Sequence, residues 1–540
     1  MKRLFTLLVF FAVLHVQAQL LRGPYLQSMT NKSVKILWRT AAATPAVVRY
    51  GTALNNLTNS VADTTQKTNH ILQISGLIAN TKYYYQIEDG NMQILAGNDE
   101  QHHFFTAPVI GDSTIHRFWV TGDFGAGNTD QVLVKQWFQN YLTTTKVDAW
   151  LWLGDNTYTN GTDAEYSRNV FSKDYGYDSL FRFLPFYPIP GNHDYNSVNG
   201  SNPVNPYGPY FDMVEVFKNA EMGGYPSNTE AFYSYDYGNI HFVAMNSELY
   251  PWLLFNLPNA YKTWLENDLR NTTQPFKIAY WHQPPYSKGS HDSDDWFEFF
   301  MKAMREQYLP ILERYGVEFV LNGHSHVYER SYLINKHYGL SPTFKRSTMM
   351  VDSTSGNPDS NRMYIKYTYG VNKNKGTVYA VVGNSGKSEA ENNKMHPVMY
   401  KKYAASGGVG SMILEVSGHT LVCKYYKANG ELLDKFSIVK MDSTVISAIK
   451  ENKLINQMQV YPNPFNQSLT VDFSAQKSGE ISIYIQNITG QLLTQKLWDG
   501  NSKAGANSVF IDHLDELPKG EYIISITQNG EILSKTIVKL

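Results

Sequence analysis

Along residues 20 to 107, apolar and polar positions alternate in short runs separated by turn residues. Ser33-Val34-Lys35-Ile36-Leu37-Trp38 and Tyr83-Tyr84-Tyr85-Gln86-Ile87 carry the period of half-buried strands. Runs at this spacing predict an N-terminal β-sandwich over 20–108, with Trp38 as a core anchor. Past residue 114 the pattern changes to continuous apolar runs: Arg117 to Val120, Asp148 to Leu153, Phe186 to Pro190, Lys277 to Tyr280 and Val317 to Leu321. Helical stretches such as Gln131 to Leu142 and Trp296 to Glu313 lie between some of them, which predicts a layered α/β domain over 114–440. After a linker at 441–458, alternation returns in Ser468 to Phe473, Ile481 to Ile485 and Tyr522 to Ile526. Gly490, Gly520 and Gly530 punctuate these runs as turns, so 459–540 reads as a small β-sandwich.

Composition adds limits. A chain of 540 residues favours several domains. With 42% hydrophobic and 18% charged residues it can bury large cores, and a net charge of −1 gives no electrostatic case for nucleic acid or an anionic membrane surface. Lys2 and Arg3, the apolar run Leu4 to Val13 and the small-residue site Val16-Gln17-Ala18 predict a cleaved signal peptide over 1–18, with no transmembrane segment left afterwards. The single cysteine, Cys423, cannot form an internal disulfide, so an exported chain of this kind fits a bacterium, with Cys423 in a buried strand. His102 and His103 read as surface residues facing opposite sides of a strand.

The chemistry lies at the ends of the central apolar runs. Gly122-Asp123-Phe124-Gly125, Gly154-Asp155-Asn156-Thr157-Tyr158, Gly191-Asn192-His193-Asp194, His282 and Gly323-His324-Ser325-His326 each follow such a run. Strand-end ligands converge on one edge of an α/β sheet. The glycines are expected to let the chain turn sharply off each strand, and Gly125 to leave room beside a metal. Carboxylates and a phenolate are hard anionic donors, whereas imidazole is neutral and borderline. Tyr158 as phenolate favours Fe(III), and a neighbouring site built from Asn192 and histidines suits a divalent ion. Asp155 lies between the two groups in sequence and is the natural bridge. Taken singly, each motif has an ordinary reading as a turn or helix cap; the ordered set points to two metal ions.

This set resembles the purple acid phosphatases, within the calcineurin-like metallophosphoesterases. Asp123-Phe124-Gly125 stands where most of the superfamily has Asp-x-His, and Tyr158 follows Asp155 by three residues. The fourth motif departs from the family's Val-x-x-His in having Ala279. The resemblance implies two mixed sheets flanked by helices and a secreted acid phosphatase that hydrolyses phosphomonoesters, with metal-bound hydroxide as nucleophile. It implies that Asp123, Asp155, Tyr158 and His326 hold Fe(III), while Asp155, Asn192, His282 and His324 hold divalent Fe, Zn or Mn. Asn192, His193 and His291 would bind substrate; Asp155, His193 and His291 would be the catalytic residues. Asp194 is expected to orient His193, and Asp292, Asp294 and Asp295 to raise the pKa of His291. Residues 159–185 and 195–230 are expected to form substrate-selecting loops, and 339–375 an insertion or a hairpin. The same motifs leave open a phosphodiesterase or nucleotide pyrophosphatase, and a non-catalytic surface-binding protein.

Two further resemblances concern the ends. Leu77-Ile78-Ala79-Asn80-Thr81-Lys82-Tyr83 is similar to the tyrosine-corner segment of fibronectin type III-like modules. Tyr461-Pro462-Asn463-Pro464-Phe465, Gly490-Gln491, Leu517 to Tyr522 and Lys535 to Lys539 resemble the C-terminal sorting domain of type IX secretion substrates in Bacteroidota. That implies engagement with outer-membrane secretion machinery, and a released or surface-held product.

Overall fold

The computed structural model describes residues 19–198, 206–249, 260–389, 394–403, 408–441, 455–487, 493, 497–528 and 531–540. The expected signal segment, most of the expected linker, and Gly490, Gln491 and Gly530 lie outside the described residues. The chain forms two compact units, one of residues up to 366 with 373–440, the other of 367–372 with 441–540.

The first unit begins with strands β1 (Leu20–Gln27), β2 (Ser33–Gly51), β3 (Asn59–Ser75), β4 (Lys82–Asp89), β5 (Ile94–Gly97) and β6 (His103–Phe105). They form one hydrogen-bonded network, because the long β2 pairs with β1 and β3 through its first half and with β3 and β4 through its second. Register shifts between Arg39 and Ala46 mark where it bends. Trp38, Val48 and Tyr85 are buried inside. Tyr83 Oη accepts from the Ile78 amide at 3.1 Å, closing the expected corner. His102 is not a surface residue: it is buried edge-on to Tyr85, with Nδ1 2.8 Å from Asp99. It stands two residues before the buried Phe104 and so shares the inward side of β6, while His103 takes the other side.

Next come β7 (His116–Thr121), helix α1 (Thr129–Leu142), β8 (Ala149–Leu153), β9 (Phe186–Ile189), β10 (Tyr233–Tyr237), β11 (Ile240–Ala244), β12 (Phe276–Tyr280), β13 (Phe319–Asn322) and β14 (Tyr328–Ser331). Then follow β15 (Leu333–Ile334), β16 (Met350–Asp352), β17 (Tyr364–Tyr367), β18 (Val378–Val382), β19 (Met399–Tyr403), β20 (Gly410–Ser417), β21 (Thr420–Lys427) and β22 (Leu432–Met441). Two mixed seven-stranded sheets result, ordered β10-β11-β12-β13-β18-β14-β19 and β17-β22-β21-β20-β7-β8-β9. Strands β7, β8 and β9 run parallel, as do β11, β12, β13 and β18. These strands are mostly apolar and, apart from Arg117 and Lys277, buried on both faces, as parallel pairing favours. Residues 339–375 contribute β16, which pairs with β15, and the edge strand β17.

The N-terminal strands are fastened to the segments expected to select substrate. Arg22 and Arg39 both reach Asp163, at 3.1 and 2.6 Å, and Tyr85 Oη donates to the Arg182 carbonyl at 2.9 Å. Tyr25 Oη donates to the Met213 carbonyl at 3.1 Å, and Lys35 pairs with Glu215 at 2.6 Å. These parts of 159–185 and 195–230 are therefore held against the first domain rather than left as free loops.

The second unit is all β. Strands β23 (Ile455–Tyr461), β24 (Leu469–Ala475) and β27 (Gly505–Ile511) form one sheet; β25 (Gly479–Asn487), β26 (Trp498–Ser502), β28 (Gly520–Gln528) and β29 (Glu531–Lys539) form the other. Phe465, Leu469, Val471, Ile483 and Ile524 fill the space between them.

Candidate metal centre

Asp123, Asp155 and Asn192 follow the neighbouring parallel strands β7, β8 and β9; His282 and His324 follow β12 and β13 of the other sheet. The carboxyl edges of the two sheets meet, and the donors meet with them. In one group, Tyr158 Oη lies 2.9 Å from Asp123 Oδ1 and 3.2 Å from His326 Nε2, with His326 Nε2 3.4 Å from Asp123 Oδ1. In the other, Asn192 Oδ1 is 3.1 Å from His282 Nε2 and 3.0 Å from His324 Nδ1, and those two nitrogens are 3.3 Å apart. Asp155 Oδ1 is 3.3 Å from His282 Nε2, and Asp155 also acts on Tyr158, so it touches both groups. Asp123, Asp155 and His282 offer ligand atoms within 4.8 Å of one another.

The proton count tests whether these residues fit a cation. His282 Nδ1 donates to the Leu153 carbonyl at 2.8 Å, so in the neutral ring Nε2 is a bare lone pair. That lone pair faces an amide oxygen and a carboxylate, which are also lone-pair donors. A buried gathering of acceptors without protons to share is what a cation satisfies. With no cation present, burial lowers the His282 pKa, but Asp155, Asp123 and Glu248 outweigh it and raise it to about 10, so a proton on Nε2 and a bound cation are alternative ways to satisfy the same oxygens. Burial pushes the Asp155 carboxyl up, but His282, His193 and His324 outweigh it and its pKa falls below the usual range. Burial, then Asp123 and Asp155, drive the Tyr158 phenol well above its ordinary value, and only a nearby cation would reverse this. Burial holds His324 down at about 4, with His291 and His282 adding to the effect.

Gly154, with φ of 88°, makes the expected turn, but left-handed backbone also falls on the donors themselves, with φ of 57° at Asp123, 50° at Asp155 and 67° at His324. The adjacent glycine at 323 is required by close approach: a Cβ there would lie 2.5 Å from Asp123 Oδ2. Gly125 makes room for backbone, not for metal, since a Cβ would sit 1.9 Å from the Asn156 carbonyl oxygen.

His193 stands beside Tyr158, ring centroids 4.6 Å apart, with Nδ1 2.6 Å from the Thr159 carbonyl and Nε2 3.9 Å from Asp155. The Thr159 carbonyl, not Asp194, orients it. Asp194 is buried and accepts from the Gly191 amide at 2.7 Å, the Asn156 amide at 3.2 Å, Asn156 Nδ2 at 2.9 Å and Tyr166 Oη. Burial and Asp155 still raise it to about 7. His291 lies over His324 with centroids 3.9 Å apart. Its neighbour is Glu298, at 2.6 Å from Nδ1, not the expected aspartates. Asp292 and Asp294 are engaged by Lys288, at 2.6 and 3.0 Å. Glu298 also reaches to 3.7 Å from His324 Nε2. His291, Glu298 and His324 offer a second trio of ligand atoms within 4.8 Å. Glu298 and Glu389, the latter 3.0 Å from His326 Nδ1, were not singled out in the sequence. Neither lies in a strand-end motif; an acid with a sequence offset to a histidine was the one available signal.

Residues 116–328 match the model of calcineurin-like phosphoesterases, 24–106 that of the purple acid phosphatase N-terminal domain, and 459–539 that of the secretion system C-terminal sorting domain. The chain carries a calcineurin-like phosphoesterase domain, and the region before it matches the purple acid phosphatase N-terminal domain. Purple acid phosphatase 15 of Arabidopsis thaliana is 28% identical over 287 residues, covering 48% of this chain and 49% of that protein. Purple acid phosphatase 13 of the same plant is 25% identical over 412 residues, covering 67% and 68%. The chain thus spans about half to two thirds of the length of the curated relatives it matches. The purple acid phosphatase PPD1 from yellow lupin seeds shares the fold, with a TM-score of 0.58 at 18% identity over 78% of this chain and 75% of that one. The sorting domain marks the chain for export, and among the described residues no helix is long and apolar enough to cross a membrane.

Proposed function

We propose that the protein is an exported two-metal phosphatase acting on phosphomonoesters. One observation carries this reading: at the facing strand ends, seven donor side chains form two groups with Asp155 between them, their donor atoms within about hydrogen-bond distance of one another. Asp123, Asp155, Tyr158 and His326 would hold Fe(III), as the hard anionic set favours. Asp155, Asn192, His282 and His324 would hold a divalent Fe, Zn or Mn ion. When bound, the two cations supply Lewis-acid polarisation of the phosphoryl oxygens and lower the pKa of water at the site.

The chain's own groups do the rest. The Thr159 carbonyl accepts from His193 Nδ1 and leaves Nε2 beside Asp155, so the doubly protonated ring donates from Nε2 to a phosphoryl oxygen. Glu298 accepts from His291 Nδ1, and a proton on His291 Nε2 is then free for the departing alkoxide. Asn192 offers its amide to the same phosphate. Export would follow the type IX route of a Bacteroidota-like bacterium, through the C-terminal domain and the outer-membrane machinery.

The test is Tyr158→Phe in iron-loaded protein, together with a matched aryl phosphate monoester and diester. Loss of a visible ligand-to-metal band with the fold intact supports the tyrosine half, and an unchanged spectrum sinks it. Faster turnover of the diester would move the assignment to a phosphodiesterase.

A further inference from the structure

Beyond the donors, the segment after β18 lies across the tyrosine half of the site. Its path is fixed from several directions. The Ser385 amide donates to the Gly122 carbonyl at 3.2 Å, and Asn128 Nδ2, at the start of α1, donates to the Gly386 carbonyl at 2.9 Å. Ser388 Oγ donates to Asp130 Oδ2 at 3.2 Å in the first turn of that helix. Gly386 packs so closely that a Cβ would lie 2.3 Å from the Phe124 carbonyl oxygen. This anchoring delivers two charged side chains beside the tyrosine half. Glu389 Oε2 is 3.0 Å from His326 Nδ1, an ion-pair contact off the line of a hydrogen bond, and Lys387 Nζ is 5.1 Å from the Tyr158 ring centroid. The two are 3.3 Å apart, so each holds the other in place.

The three candidate histidine ligands each have a different partner on the far nitrogen or beside it. His282 uses the Leu153 carbonyl, His324 faces Glu298, and His326 faces Glu389. An imidazole binds a cation through a nitrogen that carries no proton, and a carboxylate on the opposite nitrogen keeps the proton there. His326 presents Nε2 to Tyr158 and Asp123, so Glu389 stands where that control is exerted.

We propose that Lys387 and Glu389 form an outer shell dedicated to the tyrosine half: Glu389 holds His326 in its ligating tautomer, and Lys387 sets the energy of the Tyr158 ring electrons. The proposal rests on the two-metal reading above. A positive charge over the ring lowers the level from which Tyr158 donates, so removing it moves the tyrosine-to-iron band to longer wavelength. Both act here through another side chain, Glu389 through His326 and Lys387 through Tyr158, and so are positioning or tuning residues.

The experiment uses the full chain loaded with iron, as wild type, Glu389→Ala, Glu389→Gln and Lys387→Met. The readouts are retention of iron against a chelator and the position of the visible band, with circular dichroism to confirm folding. Glu389→Ala is expected to release iron about 10–100-fold more readily, the range for outer-shell partners of a metal-bound histidine. Glu389→Gln keeps an acceptor oxygen without charge and is expected to fall between; it decides the point if the alanine variant fails to fold. Lys387→Met is expected to keep its iron and shift the band to longer wavelength. Wild-type iron retention in both Glu389 variants overturns the tautomer role, and an unmoved band in Lys387→Met overturns the tuning role. A wild type that shows no tyrosinate band fails the two-metal reading instead, which separates the two failures.

Discussion

Two histidine–aspartate clusters lie buried on neighbouring strands, and only one has the makings of a metal site. His241, in β11, places Nδ1 2.7 Å from Asp236 and Nε2 2.8 Å from Asp268. His282, just past the parallel strand β12, places Nδ1 on a backbone carbonyl and Nε2 against Asp155 and Asn192. Both rings are completely buried. The first cluster is closed: each ring N–H has its own carboxylate, and Asp268 also accepts from Ser234 Oγ and the Tyr225 amide. The second is open, because its Nε2 meets Asp155, Asn192 and the His324 Nδ1 at once. Residue types do not separate the two clusters. The number of donor atoms gathered on one ring nitrogen does.

The largest expected difference follows from removing the shared carboxylate. Asp155→Asn should lower phosphatase activity by more than the roughly 100-fold that an outer-shell change costs. Metal analysis should show loss from both halves, since Asp155 touches both. His241→Leu should act the opposite way, leaving two buried carboxylates without their cation. A loss of about 3–5 kcal/mol in stability is expected, read by denaturant unfolding, with metal content and kcat of the folded fraction unchanged. Loss of metal in His241→Leu would erase the distinction between the clusters.

A smaller effect should appear with pH. Burial lowers the His241 pKa, but Asp268 and Asp236 outweigh it and raise it to about 9. The folded value thus lies above the ordinary 6.5. The stabilisation is fully present below about pH 6.5 and fades as pH rises through about 9, amounting to about 3 kcal/mol at 1.36 kcal/mol per unit. Thermal unfolding of wild type should therefore weaken between those values. His241→Leu should lack that particular slope, and an equal slope in both proteins would remove His241 as its source.

Much of this molecule could be read in the sequence, and the unread parts share a cause. The donors of the two groups sit at the ends of apolar runs, and a strand end fixes where a side chain stands. The alternating runs likewise announced β-rich ends around an α/β middle. The outer partners followed no such rule. Glu298 and Glu389 reach histidines from loops, and the pairing depends on how each loop closes. The aspartates beside His291 looked the better partners by proximity, yet Lys288 engages two of them. His102 departs from expectation for a simpler reason, since two residues before the buried Phe104 it shares that residue's inward face. The division of labour between Gly323 and the left-handed His324 also needs coordinates, because close approach across two sheets leaves no mark on either strand alone.

Asp194 offers an intermediate case, with the smallest expected effect. It is buried like the aspartates of the closed cluster, yet no cation faces it. Donors from Gly191, Asn156 and Tyr166 take that place, bracing the Asp155 turn against the Asn192 turn. Asp194→Asn keeps the shape and one acceptor oxygen but turns an NH₂ toward a donor. Buried hydrogen bonds to a charged group are worth about 1.5–3 kcal/mol. Against that loss stands relief from a buried charge close to Asp155, which is what drives its pKa to about 7. The two terms oppose, so the net should be about 1 kcal/mol of destabilisation or less, with metal content retained and turnover reduced through a loosened Asn192. Thermal unfolding and kcat measured on the same sample check both parts. A loss as large as that of His241→Leu would show that the charge itself, rather than the directed donors, holds the two turns together.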